Sequence, residues 1–472
     1  MRNPFEFDRR GLLGSGAAGL AFAGLARSAQ AQTAVQPVAP AETYTNEVAG
    51  YGPLVVDPNG VLDLPEGFSY RVISQGGETM ADGLLVPGQF DGMACFPLDG
   101  SQVALVRNHE LKASSRTHGN WGPGGFNRER LHLLDKTKAY DLDKQGRPLP
   151  GGTTTVVYDL QSGEVVRQFM SLAGTSTNCA GGPTPWGSWL TCEECEDTPA
   201  STNVSRDHGW VFEVPASATG LVDPVPLKAM GRFDHEAICI DPRSGHVYLT
   251  EDKEEGLFYR FTPNVPGKLA EGGKLQALMI TGAPGADTSN NVETFWNVGD
   301  WREATWVDLD DVESPNGDLR MRGRASGAAI FQSSEGVYWG ANELYFTAKY
   351  GGLNKRGQIL RYVPSASGDG GRVQLFLEST DETVWNMGDN LTVAPWGHLI
   401  VCEDNYSKEI KNHLKGVTPD GRSYTIGRNV FQGNSEFAGC CFSPDHSVLF
   451  VNVQFPGITF AITGPWTSVS VA

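Results

Sequence analysis

The sequence predicts an all-β chain folded as a six-bladed β-propeller with inserted loops. Three observations carry that expectation: abundant turn formers, apolar runs that alternate with period two, and a unit that recurs six times. The 58 glycines and 28 prolines among 472 residues interrupt the chain too often for long helices. Between those turns lie apolar runs of five to eight residues, and almost none of them carries a convincing helical stripe. The stretches "GHVYLTEDKEEGLFYRFTP" (245–263), "NELYFTAKYGGLNKRGQILRYVP" (342–364) and "GHLIVCEDNY" (397–406) share one order: turn, apolar strand, polar or acidic cluster. "SQVALVRNHE", "GSWLTCEECED" and "SVLFVNVQFPGITFAITG" complete the series. Multi-strand units repeated at such intervals are the signature of a propeller.

In chain order, Arg9 and Arg10 precede a short Ala/Gly/Leu run that ends in Ala29-Gln30-Ala31. The run is too short and too rich in glycine to span a membrane stably, and a small-x-small cleavage site closes it. Residues 1–31 therefore read as a twin-arginine export signal. This reading brings the twin-arginine export machinery as a partner, a periplasmic or secreted destination and no stable membrane anchor. Residues 32–62 read as an N-terminal extension and 63–472 as a single propeller domain. The net charge of −18, without a lysine-arginine stripe, argues against nucleic acid as a partner. Among the eight cysteines, Cys192 and Cys195 form the one pair whose spacing suits a bridge, and two packed thiols suit it equally.

A short run opening on a polar residue precedes each unit's strand, at Asp91, Cys179, Glu236, Glu335, Asp389 and Glu436. First strands of propeller blades line the central channel, so these residues are expected to face the axis from one end. The second strands return to the same neighbourhood at Glu110, Glu193, Glu251, Lys349, Glu403 and Gln454. A single acid after a strand is usually a solvated turn residue. Repetition of the placement through six units argues for a shared axial site. The polar insertion over 264–324 reads as a lid, as an elaborated blade or as an inert surface excursion.

Carboxylates crowded on one axis raise each other's pKa unless cations hold them. Many hard oxygen donors select Ca2+ or an oxidised iron. Cys179 is a poor calcium ligand, whereas a thiolate suits iron or zinc; a packed thiol is the alternative. Neither HExxH nor GxSxG, a Walker loop or a GxGxxG between a strand and a following helix occurs, which leaves zincin, serine-hydrolase and nucleotide-fold chemistry without support. Arg107 and Lys349 are the candidate catalytic cations for an anionic substrate, with structural ion pairs as the competing role.

At these residues the chain resembles a known family. "RNHE", "NCAGGPTPWGSWLTCEE", "DHEA", "YLTEDKE", "DNLTVAPWGHLIVCED" and "EFAGCCFSPD" are similar to segments of the PhoX family of exported alkaline phosphatases, over about 64–465. The resemblance implies a propeller with an Fe3+ and Ca2+ cluster on its axis that hydrolyses small-molecule phosphate monoesters. It implies that Cys179 is the thiolate ligand of iron. Glu110, Glu193, Glu236, Glu251, Glu335, Glu403 and Glu436 match family acids and join the cluster collectively, with Asp389 added by its place in the first-strand ring. Two other functions fit the residues. One is a calcium-dependent lactonase using Glu236, Asp389 and Asn390; the other is a non-catalytic propeller stiffened by metal.

Overall fold

A computed structural model describes residues 43–113, 127–431 and 433–471. The expected export signal over 1–31 lies outside the described residues. Six short first strands gather around one axis: Phe90–Pro97, Asn178–Pro183, His235–Ile240, Ser334–Trp339, Gly388–Val393 and Phe437–Phe442. Each packs on the first strands to either side, and the last packs on the first, so the ring closes. Each also pairs antiparallel with a second strand: Gln102–His109, Ser188–Glu193, Val247–Glu251, Leu344–Ala348, Leu399–Glu403 or Val448–Val453.

Blades stack face to face, so their middle strands are covered on both sides and read as continuous apolar runs. Val247–Glu251 and Leu399–Glu403 are buried along their whole lengths. Between the third and fourth blades Phe258 stacks on Phe346, with ring centroids 4.3 Å apart and both side chains fully buried. Each such burial stabilises by roughly 1.5–3 kcal/mol.

Among the described residues the hydrogen-bonded sheets number five, a correction to six separate blades. The third and fourth blades share one nine-stranded sheet, because Trp301–Asp308 of the insertion pairs with Gly370–Glu378. The insertion is an elaborated blade rather than a lid or a plain excursion: it supplies strands Gly273–Ile280 and Trp301–Asp308, the first paired with Phe258–Pro263 of the third blade, and a short helix, Leu319–Ala325. The N-terminal strand Ser69–Gln75 pairs with Ile458–Thr463 and so completes the sixth blade. Leu62–Pro65 pairs with Ser423–Asn429 on the fifth, where Asp63 and Arg428 form a buried ion pair at 2.6 Å. Leu54–Val55 adds a further strand, so part of the expected 32–62 extension is integral to the propeller. Cys192 and Cys195 are not bridged; all eight thiols are free. Among the described residues no helix is long and apolar enough to cross a membrane.

Candidate metal centre

All six first strands carry a β-bulge, two residues opposing one on the second strand. In five blades the bulge is Asp91-Gly92, Cys179-Ala180, Glu236-Ala237, Glu335-Gly336 or Asp389-Asn390. A bulge re-aims the side chain it carries. Here the first residue of each pair is a candidate donor. The second is mostly small because the strands converge: a Cβ on Gly92 would lie 2.6 Å from Ala180 Cα, and one on Gly336 2.7 Å from the Leu391 nitrogen. In the sixth blade the bulge is displaced to Gly439-Cys440, and the acid is Glu436, just ahead of the strand.

The donors form four groups, within each of which one ligand atom per residue lies within 4.8 Å of the others. The groups are Asp91, Glu110 and Cys179; Cys179, Glu194 and Glu236; Glu236, Glu335 and Asp389; and Asp389, Asp404 and Glu436. Shared members link them into a continuous belt around the axis. Asp91, Glu236, Glu335, Asp389 and Asp404 are buried, whereas Glu110, Cys179, Glu194 and Glu436 are half-buried. The belt therefore has a closed floor and one face towards solvent.

Its electrostatics are unfavourable as they stand. Glu236 is fully buried, and among the described residues neither of its carboxylate oxygens has a hydrogen-bond partner. Desolvation and then the charges of Glu335, Glu194, Asp389 and Asp91 push its pKa well above the ordinary carboxylate range. Asp91, Glu194, Glu335 and Glu436 are pushed up likewise, by desolvation first and neighbouring acids second. Asp389 is raised to about 6 and the Cys179 thiol is pushed up, again chiefly by desolvation. Lys349 is the buried cation of the belt. Its ammonium lies 3.5 Å from Glu335 and 3.4 Å from Asp389, and is closer still to Asp404. Burial works against that charge, but the three acids outweigh it. Lys112 pairs with Glu110 at 3.3 Å while 57% of its side chain is exposed. Among the described residues two lysines face eight carboxylates and a thiol, and cannot offset them. An orphaned carboxylate inside a ring of oxygen donors with one sulfur fits hard cations together with a thiophilic metal.

Of the residues expected on the axis, Cys179, Glu110, Glu236, Glu335, Asp389, Glu436 and Lys349 are brought together. Glu193, Glu251 and Glu403 are not; this is a slip of one residue. They end their strands with carboxylates directed into the surrounding structure, while the next residues, Glu194 and Asp404, join the belt and Asp252 lies close enough for its charge to act on Glu335. Successive strand residues face opposite ways, so a one-residue shift exchanges axis for interior. The signal lay in the other units. Glu110, Lys349 and Gln454 each stand one place beyond their strand, and aligning on them selects the second acid of each doublet.

Arg107 is also corrected. It lies fully buried between the first and sixth blades, donating to Thr459 at 2.6 Å and Thr154 at 3.0 Å, with its guanidinium 3.5 Å from the Phe90 ring centroid. Burial lowers its pKa to about 9. Asp91 and Gln454, which the sequence places on the axis, do meet there: the Gln454 amide donates to Glu110 at 2.7 Å and to Asp91 at 3.2 Å.

Residues 49–457 match the family model described as alkaline phosphatase PhoX. Among solved structures, that of Pseudomonas fluorescens PhoX in complex with vanadate, a transition state analogue, superposes with a TM-score of 0.66 at 18% identity. The match covers 90% of this chain and 98% of that one, and shows a shared fold. A gluconolactonase from Xanthomonas campestris aligns over 91% of this chain and 99% of its own at 13% identity, with a TM-score of 0.39, too low to support an argument. No curated protein matches the chain.

Proposed function

Because the chain belongs to the PhoX family of alkaline phosphatases, we propose that its axial belt holds Fe3+ and Ca2+ and hydrolyses small-molecule phosphate monoesters. The observation that carries this reading is Glu236, a buried carboxylate with two unpartnered oxygens at the centre of a ring of like charge. Burying such a group without a counter-charge costs several kcal/mol. The two groups that contain Cys179 suit iron, and the all-oxygen groups around Asp389 suit calcium. When bound, such ions supply Lewis acidity towards the phosphoryl oxygens and offset charge on the leaving oxygen.

The chain's own residues do the positioning, which is most of what phosphoryl transfer asks of a protein. Half-buried Glu110, Cys179, Glu194 and Glu436 leave one face of the belt accessible to an ester. Lys349, buried beneath that face among Glu335, Asp389 and Asp404, ties these three acids together and offsets part of their charge. Tyr406 braces the arrangement, its hydroxyl donating to Asp404 at 2.8 Å and its ring centre 5.4 Å from the Lys349 ammonium. Lys112 takes the place expected of Arg107: it is tied to one acid and largely solvated, so it can move onto a phosphoryl oxygen. The lactonase-type alternative would need Asn390, whose amide donates to Asp389 at 2.8 Å and whose carbonyl accepts from the Gly439 N–H at 2.8 Å. Export through the twin-arginine route to the periplasm or beyond belongs to the same proposal.

The test is iron, calcium and zinc per chain by plasma mass spectrometry, on protein purified without chelator, with phosphate-ester turnover at alkaline pH. Iron with several calcium ions, both iron and turnover being lost in a folded Cys179→Ser variant, is the expected result. Calcium alone, or undiminished turnover in Cys179→Ser, overturns it.

A further inference from the structure

Glu193 and Glu403 are fully buried acids that lie beside the belt without joining it. One oxygen of Glu193 accepts from the Ser176 N–H at 2.9 Å and lies 2.6 Å from His208 Nδ1. The other accepts from the N–H groups of Gly209 at 3.0 Å and Trp210 at 3.2 Å. Ser176 opens the turn that delivers Cys179, and the N–H of Glu194 donates to Thr177 O at 2.9 Å within that turn. A single carboxylate thus joins the segments carrying Cys179 and Glu194, two members of one donor group. Glu403 repeats the arrangement three blades on. It accepts from the Asn386 N–H at 2.9 Å and from the His413 N–H at 3.0 Å, with His413 Nδ1 at 2.8 Å. Asn386 leads to Asp389, and the Asp404 N–H donates to Met387 O at 3.0 Å. Asp389 and Asp404 again belong to one donor group.

We propose that Glu193 and Glu403 are positioning residues, each a clamp that holds two axial donors of one group at a fixed separation. The proposal rests on the reading of the belt as a metal centre. Donors of like charge drift apart unless the backbone beneath them is locked, and a carboxylate facing several N–H groups is a rigid lock because it only accepts. Glutamine at either position turns an NH2 group towards backbone donors and leaves at least one of them unpaired. Partners that orient metal ligands in this way are commonly worth 10–100-fold in metal affinity.

The experiment compares Glu193→Gln and Glu403→Gln with Asp63→Asn, which breaks the buried Arg428 pair on the outer edge of the fifth blade. Two quantities are read on the full chain: metal retained against a calibrated chelator series, and the rate of Cys179 alkylation by iodoacetamide, located by peptide mapping. Both glutamine variants are expected to release metal about 10–100-fold more readily than Asp63→Asn at an equal loss of melting temperature. Glu193→Gln alone is expected to accelerate Cys179 alkylation. Metal release that follows melting temperature alike in all three variants, or equal alkylation rates, overturns the clamp. If Glu193→Gln does not fold, His208→Gln, which removes one of its four contacts, takes its place. A wild-type chain without metal would defeat the metal-centre reading, and the alkylation comparison would still decide the clamp.

Discussion

Glu193 and Glu236 lie on neighbouring blades, both wholly shielded from solvent, and their surroundings are opposite. Glu193 meets three backbone N–H groups and an imidazole, whereas Glu236 meets no hydrogen-bond donor among the described residues and is surrounded by acids. A folded chain supports a buried charge only when something answers it. At Glu193 the answer is built into the backbone. At Glu236 it is left open, and that deficit locates the site.

The largest break in this contrast is Glu236→Gln. We expect kcat/KM to fall by about 1,000-fold or more as the belt loses its central donor. At alkaline pH, where the raised Glu236 carboxyl is forced to ionise, metal-stripped Glu236→Gln should nevertheless melt above stripped wild type, and the gap should close as pH falls. A lower melting temperature for the stripped variant would mean that Glu236 has a structural partner.

The next expectation concerns the satisfied side. Burial disfavours a charged His208, but Glu193 and Asp141 outweigh it and raise its pKa to about 9. A raised folded-state value stabilises fully below the unfolded value of about 6.5 and is lost as pH climbs through about 9. The contribution is on the order of 3 kcal/mol. Melting temperature should therefore decline between these limits in wild type and decline less in Asp141→Asn; identical slopes would remove His208 from the account.

The smallest effect sharpens the boundary between floor and rim. Lys112→Ala should raise KM for a phosphate ester roughly fivefold with little change in kcat, because Lys112 has one ion pair and much solvent around it. A fall in kcat with KM unchanged would place Lys112 in the transition state instead.

The strands, the ring closure and the axial placement of Asp91, Cys179, Glu236, Glu335 and Asp389 were legible, because period two and a repeated polar opening survive variation in the outer loops. The doublets were not. Glu193-Glu194, Glu251-Asp252 and Glu403-Asp404 carry an acid at both positions, so composition cannot say which faces the axis. Arg107 was misplaced for a related reason: a charged residue within a strand looks functional until Phe90, Thr154 and Thr459, far apart in sequence, are found packed around it. The insertion over 264–324 gave no hint that its strand Trp301–Asp308 would join two blades through Gly370–Glu378.

The sequence by itself determined the local elements, the β-rich class and the supply of acids with one thiol, since these depend on neighbours a few residues apart. Tertiary structure alone decided which acids are answered and which are not. The potential at Glu236 is summed from Asp91, Glu194, Glu335 and Asp389, whose separation along the chain spans most of the propeller, and only closure of the ring brings them within reach of one another.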